Sequence, residues 1–596
     1  MTSSRNKIYP FLGLLTAGTL LVSGSVFAQE KPRSLFPVQK PAASAKPDEP
    51  LIPSSSTIQT DGEKQSIERG AGKGTLVIQS LGGLDAASIG TLGVANGGFG
   101  AGMWRGTAPE RVVTLLKFLP TASHSPQAQD LARRLLLTAA AIPQGLENPT
   151  KLVQLRLDKL QAAGRVPDAS ALLAQLPPAV LNAELAKTRA NLQLLQDQNA
   201  EACKQVPAEK RRSNDNFWTK LEVFCHVVDG NFERAELGAT LLEEGQEDDG
   251  AFFTLFDRLA GGKSELAAGE TLITPLHFAM MRQGGLAVPY ELASKAGYDI
   301  LWALATDKTA EKNARLLAAF ASLDAGSIGP TLSRQLITEE AFEEAVESGI
   351  GQIAALYRAL AAEKDPERKI GILQNLWAAG TANGTYFPAA KLSLPALEMI
   401  PATPQDEGFD LDALRLFLAE GDITNAQNWE RQARRGALRG TNEEREAARK
   451  RITRVDAYML VSGAPGIARW NAANFDLMAF ADNSNLDKGA NAGFLLTVLE
   501  EFGETVPDSL WSQALNLGQV PRSSFSNLVI EKNMTLASEA GRMGETVALA
   551  LTVLGTDGPS AVATSTLATV LSSLKRVGLE EEARLLALEA AVLRDL

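Results

Sequence analysis

Three histidines, two cysteines, a Ser-x-x-Lys, an acidic cluster and two glycine runs are the residues of this 596-residue chain whose types and spacing suit chemistry. His124, His226 and His277 are far apart, so a metal centre or a histidine-based triad would depend on the fold to gather them; no His-Glu-x-x-His or Gly-x-Ser-x-Gly is present. His226 follows Cys225, but adjacent residues on a helix point in different directions, so the pair cannot act as a dyad within one helix. Ser572 and Lys575 have nucleophile-and-base spacing without the companion motifs that give it meaning. Glu339, Glu340, Glu343, Glu344 and Glu347 read as the start of a helix capped by Thr338, where carboxylates favour the positive helix end and face solvent rather than forming a catalytic pair. Ala71-Gly72-Lys73-Gly74 has the glycine amides of a phosphate cradle, but Ile67 replaces its leading Gly and Gly74 its magnesium-holding Ser/Thr. The run Gly98 to Gly106 lacks the Gly-x-G-x-x-Gly spacing of a dinucleotide site. No catalytic residue, cofactor or metal ligand is therefore assigned.

Two groups remain. Cys203 and Cys225 are an even pair, which in an oxidising compartment predicts a disulfide. Cys203 continues the face of Leu192 and Leu195, and Cys225 joins the stripe Phe217, Leu221, Phe224, Val228, so both thiols should point inward from neighbouring helices. Two buried free thiols are the alternative. Met103, Trp104 and Arg105 end a glycine-rich segment just before the first helix. They would serve either as an aromatic anchor for a partner or as packing of the arm on the chain's own first helices.

The elements that must position these residues are helical. From Glu110 onward apolar residues recur at three-and-four spacing, as in Leu181, Leu185, Leu192 and Leu195, with Ala abundant between them and strand signals scarce. The joints share a form: Gly164 with Ala169, Gly230 with Ala235, Gly421 with Ala426 and Gly578 with Ala583, with Gly541-Arg-Met-Gly-Glu-Thr546 a degenerate copy. The glycine would end one helix in a left-handed cap and the alanine begin the next where two backbones approach.

Before the helices, Arg5 and Lys7, an apolar run from Ile8 to Val26 and the small-x-small Val26-Phe27-Ala28 predict a signal peptide, residues 1–28, cleaved after Ala28. An uncleaved anchor is the alternative. Residues 29–75, rich in Pro, Ser, Lys and Gln, read as a disordered tether, and 76–107 as a glycine-rich extended arm. Turn residues near Gly380–Asp410 suggest two helical blocks, 108–390 and 391–596. Cleavage would take the net charge from −12 to −14, since residues 1–28 carry two bases and no acid. That acidity argues against nucleic acid and anionic membrane as partners, and no later stretch is apolar for long enough to span a bilayer.

The Gly-x-x-x-x-Ala joints resemble the inter-helix turn of tetratricopeptide-type repeats, without their fixed period. The body is similar in architecture to the superhelical part of lytic transglycosylases, whose catalytic Glu-Ser and Gly-Leu-Met-Gln signatures have no counterpart here. Signal, tether, Met-Trp-Arg-Gly segment, paired cysteines and Ala/Leu-rich hairpins together resemble a group of exported alphaproteobacterial helical-repeat proteins. That resemblance implies an envelope location and an all-helical body and adds no site. The expectation is an all-α, irregular α-solenoid of helical hairpins acting as a non-catalytic periplasmic scaffold for an envelope protein or extended peptide, with a cell-wall enzyme or its regulatory subunit as the alternative.

Overall fold

A computed structural model describes residues 88–266, 272–339, 349–403, 408–465, 475, 477–480, 488–517 and 527–596. The signal segment, the tether and Ala71–Gly74 lie outside the described residues, as do Glu340, Glu343, Glu344 and Glu347. The fold is all-α. Helices α1 (Pro109–Phe118), α2 (Pro126–Leu137), α3 (Pro149–Ala162) and α4 (Val166–Ala174) lead. Next come α5 (Ala183–Leu195), α6 (Asn199–Glu209), α7 (Asn216–Val228), α8 (Phe232–Glu244), α9 (Gly250–Leu259), α10 (Pro275–Gln283) and α11 (Tyr290–Ala293). The middle holds α12 (Tyr298–Thr306), α13 (Lys312–Asp324), α14 (Pro330–Glu339), α15 (Gly349–Ala362), α16 (Pro366–Ala382) and α17 (Tyr386–Glu398), so residue 390 falls inside a helix. The last are α18 (Phe409–Ala419), α19 (Ile423–Gly436), α20 (Asn442–Ser462), α21 (Lys488–Glu501), α22 (Asp508–Leu517), α23 (Leu528–Glu539), α24 (Met543–Leu554), α25 (Thr564–Arg576) and α26 (Glu580–Leu593). Among the described residues the only β pairing is the isolated bridge Leu92–Thr138.

The repeated joint has one geometry. At α3–α4, α7–α8, α18–α19, α23–α24 and α25–α26 the glycine sits at positive φ, from 67° at Gly541 to 87° at Gly578. The next N–H reaches back five residues: Arg165 to Leu160 O, Asn231 to His226 O, Asp422 to Phe417 O, Arg542 to Ala537 O and Leu579 to Leu574 O, at 2.7–2.9 Å. These bonds satisfy carbonyls that the helix end would orphan. Ala169, Ala235, Ala426 and Ala583 are fully buried where the returning helix crosses. Gly384 with Ala389 makes the same joint between α16 and α17. Asp197 does so between α5 and α6, at φ 60° with Ala202 buried behind it. Aspartate tolerates the left-handed region better than most residues, so the turn persists without glycine.

Thr338 does not cap a new helix. It lies inside α14, its hydroxyl donating to Arg334 O at 2.9 Å. Most helices pack on their sequence neighbours, but α24 also packs on α1 and α2, and α26 on α2, α18 and α20. The last hairpins thus close onto the first helices.

Candidate functional site

The glycine-rich segment wraps rather than extends. Leu92 exchanges backbone bonds with Leu137 O (3.0 Å) and Ala139 N (2.8 Å), so the arm lies across the end of α2. A Cβ at Gly90 would collide with the backbone of Thr138 and Ala139, which fixes that residue as glycine. Arg156, buried on α3, clamps the crossing through Leu136 O (2.6 Å), Ile89 O (2.7 Å) and Thr138 O (3.3 Å). Burial pulls its guanidinium down to about 10.

Met103 and Trp104 are buried, and Arg105 is exposed. Met103 and Trp104 pack on the chain itself, in a seat that includes Gly544 of the hairpin α23–α24. Gly544 N donates to Met103 O at 2.9 Å, and a Cβ on Gly544 would come within 2.8 Å of the Trp104 ring. Beside it Arg111 and Arg542 both bind the buried Glu545, at 2.7 and 2.8 Å.

Cys203 and Cys225 are bonded, with Cα atoms 5.7 Å apart, joining α6 to α7. Their predicted route needs correction: Cys203 does not continue the helix of Leu192 and Leu195, because the Asp197 turn intervenes. The bond also removes Cys225 from any dyad with His226. The other histidines have separate partners, His124 with Asp324 (2.6 Å) and His277 with Asp249 (3.2 Å). Lys575 is turned away from Ser572, donating to Glu501 O and lying over the Phe502 ring, while Ser572 donates to Thr569 O. No group of three or more metal-ligating side chains converges among the described residues.

What the sequence did not single out is the closing junction and the cleft beside it. Glu589 of α26 is buried against the N-terminus of α2, bonded by the Ser125 hydroxyl and by Gln127 N at 2.7 Å. Burial pushes its carboxyl up to about 7, although both bonds and Lys391 favour the ionised form. His124, just before α2, is raised by its hydrogen bond to Asp324.

A cleft of about 370 Å3 opens between the first turns of α2, Arg165 at the head of α4, the α13–α14 turn, α14, α17 and the end of α18. Arg133, Arg165, Arg334 and Lys391 line it, against Asp130 and Glu420. Arg133 binds Asp168 through two bonds of 2.7 and 2.8 Å, and Arg165 shares that carboxylate at 3.7 Å. Burial lowers the Arg165 guanidinium; Asp168 opposes this and Arg133 adds to it. Arg334 donates to the carbonyls of Leu392 (3.1 Å) and Lys391 (3.0 Å). Pro395, inside α17, lacks the N–H that Lys391 O would otherwise accept, so the arginine fills a gap the proline creates. Glu420 reaches solvent, and its carboxyl is raised by the protein crowding it, with Lys391 partly offsetting.

A larger cleft of about 690 Å3 lies between α18, α20 and Asp595. Its arginines are matched by carboxylates: Arg415 with Asp412 (3.0 Å) and Asp595 (2.6 Å), Arg454 with Asp595 (3.6 Å), and Arg451 with Asp410 (3.3 Å). The smaller cleft keeps cations in excess.

Comparison of the chain with protein-family models, with curated proteins and with solved structures gives no match. No described helix is long and apolar enough to cross a membrane.

Proposed function

We propose that this chain is a non-catalytic, periplasmic helical-repeat scaffold that binds an envelope protein or an extended peptide. The observation that carries this reading is the cation-rich cleft: a concave site built by residues in or capping α2, α4, α13, α14, α17 and α18, lined by binding groups and by no Ser, Thr, Cys or His. Two strongly perturbed groups elsewhere join elements of the fold, Arg156 at the arm and Glu589 at the α2 terminus. The export signature in the sequence supports the location. Mild crosslinking in the native envelope, followed by mass spectrometry, tests the reading: a reproducible protein partner is expected, and recovery of glycan strands alone would overturn it.

The alternative, a cell-wall enzyme or its regulatory subunit, has one observation in its favour, the raised carboxyls of Glu420 and Glu589, both within electrostatic reach of Lys391. Against it, Glu589 is sealed from solvent with both oxygens engaged. Loss of sugar release from purified peptidoglycan on Glu420→Gln would revive it.

A further inference from the structure

The cleft between α2, α4, α14 and α17 departs from the rest of an acidic chain. Net charge is −12 over the sequence, yet four cations and two acids line this one site. Their pairing leaves that surplus of cations standing. Asp130 bonds Arg134, outside the cleft, at 3.2 Å. A single carboxylate, Asp168, serves both Arg133 and Arg165. Arg334 donates to two carbonyls, which carry no net charge to neutralise it. The Lys391 ammonium has no hydrogen bond or ion pair among the described residues, although it lies near enough to Glu420 and Glu589 to favour their ionised forms.

Holding like charges together in a partly buried site is unfavourable unless an anion completes it. Guanidinium groups favour planar oxyanions, to which they can donate two bonds at once. The walls between the cations are apolar, from Leu323, Ile328, Leu394 and Pro330. A free inorganic anion has no use for such walls, whereas a peptide that alternates acidic and aliphatic side chains uses both. The volume, about 370 Å3, is at the low end of the ~300–1,000 Å3 of ligand pockets, which suits a short segment and not a folded surface.

We infer that this cleft seats a short acidic, aliphatic-flanked stretch of a partner polypeptide, its carboxylates taken by Arg165, Arg334 and Lys391 and its apolar side chains by Leu323, Ile328 and Leu394. The inference rests on the scaffold reading and gives its ligand a chemistry.

The test is fluorescence anisotropy of the purified full chain with a labelled peptide alternating glutamate and leucine, and with its glutamine isostere. The glutamate peptide is expected to bind at least about tenfold more tightly, and to weaken as salt is raised. Lys391→Glu should weaken it at least about tenfold and Lys391→Met less, while Lys204→Glu, the same charge reversal on the exposed face of α6, leaves it unchanged. Circular dichroism of each variant checks folding, and Lys391→Met keeps the test available if the reversal disturbs Glu420. Equal binding of the two peptides, or no effect of either Lys391 variant, overturns the inference. So does displacement of the peptide by inorganic phosphate at the peptide's own affinity, which would make this a site for a free oxyanion. If an envelope partner is still captured by Lys391→Glu, the scaffold reading stands and this site falls; if the wild-type chain captures none, the scaffold reading fails by itself.

Discussion

The stapled hairpins α5–α10 and the junction of the first and last helices solve the same packing problem by opposite means. In the hairpins, partners are near in sequence: the disulfide spans 22 residues, and Asp249, at the head of α9, is held by Lys220 (2.9 Å) and His277 (3.2 Å). At the junction, partners are more than 400 residues apart, as in Ser125 with Glu589 and Arg134 with Glu582. The charge states differ as well. Asp249 pays a burial cost that its bonds to His277 and Lys220 more than offset, leaving its carboxyl far below the ordinary range. Burial dominates at Glu589, and its carboxyl is raised. A local, covalent assembly whose carboxylate is held ionised therefore stands beside a long-range one that favours a bound proton.

The sharpest way to break this contrast is Trp104→Ala. Emptying the seat over Gly544 should cost about 3–5 kcal/mol, confined to the junction. Hydrogen exchange should rise in α24 and remain unchanged in α7; a uniform rise would mean that the two regions unfold as one. Cys203→Ser with Cys225→Ser should do the converse, costing about 3 kcal/mol in the chain-entropy picture, with faster exchange in α6 and α7 and none in α24.

Acidity separates the regions by sign. The folded chain binds the Glu589 proton more tightly than the unfolded chain does, so this stabilisation is complete below about 4.5 and is lost as pH rises through about 7. His124, raised above 6.5, acts in the same direction, its share being lost as pH rises through its folded value. Stability of the junction should fall by roughly 2 kcal/mol between about pH 5 and pH 7.5. Glu589→Gln, which stays neutral beside Ser125, Lys391 and Glu420, should flatten that slope; an unchanged denaturation midpoint across pH in the wild type would refute the account. The Asp249 contribution is instead present above 3.8 and lost as pH falls through its depressed folded value. Asp249→Asn should cost about 1 kcal/mol at neutral pH, since the site is partly solvated, and the loss should vanish in strong acid. The smallest effect is expected from Lys391→Met, within about 0.5 kcal/mol in a thermal melt, because no partner is lost.

The hairpin region was the more legible of the two in the sequence. Gly230 and Ala235 announce their turn because only glycine enters positive φ freely and only a small residue fits the crossing. Asp197 hides its turn by occupying that conformation without being glycine, so a helical pattern run through it puts Cys203 on the wrong helix. Thr338 reads as a cap in the sequence because its hydroxyl has two uses, and here it binds back within α14. The junction and the cleft left no local signal. Glu589 reads as one more polar residue on a helix, and nothing near Lys391 in the chain reveals that Arg133, Arg165 and Arg334 will meet it. Such sites are written in which hairpins meet, and a pattern of three-and-four spacing carries no record of that.

The seat of Trp104 has a consequence for how the chain is made. Synthesis runs from the N-terminus, so the indole and the outer face of α2 are complete long before Gly544 and α24 exist to cover them. Until roughly the last tenth of the polypeptide emerges, the growing chain carries an uncovered apolar strip at its leading end, open to proteases and to wrong partners. Truncation just before α24 would leave that strip uncovered for good, making the final hairpins the ones that quality control reads.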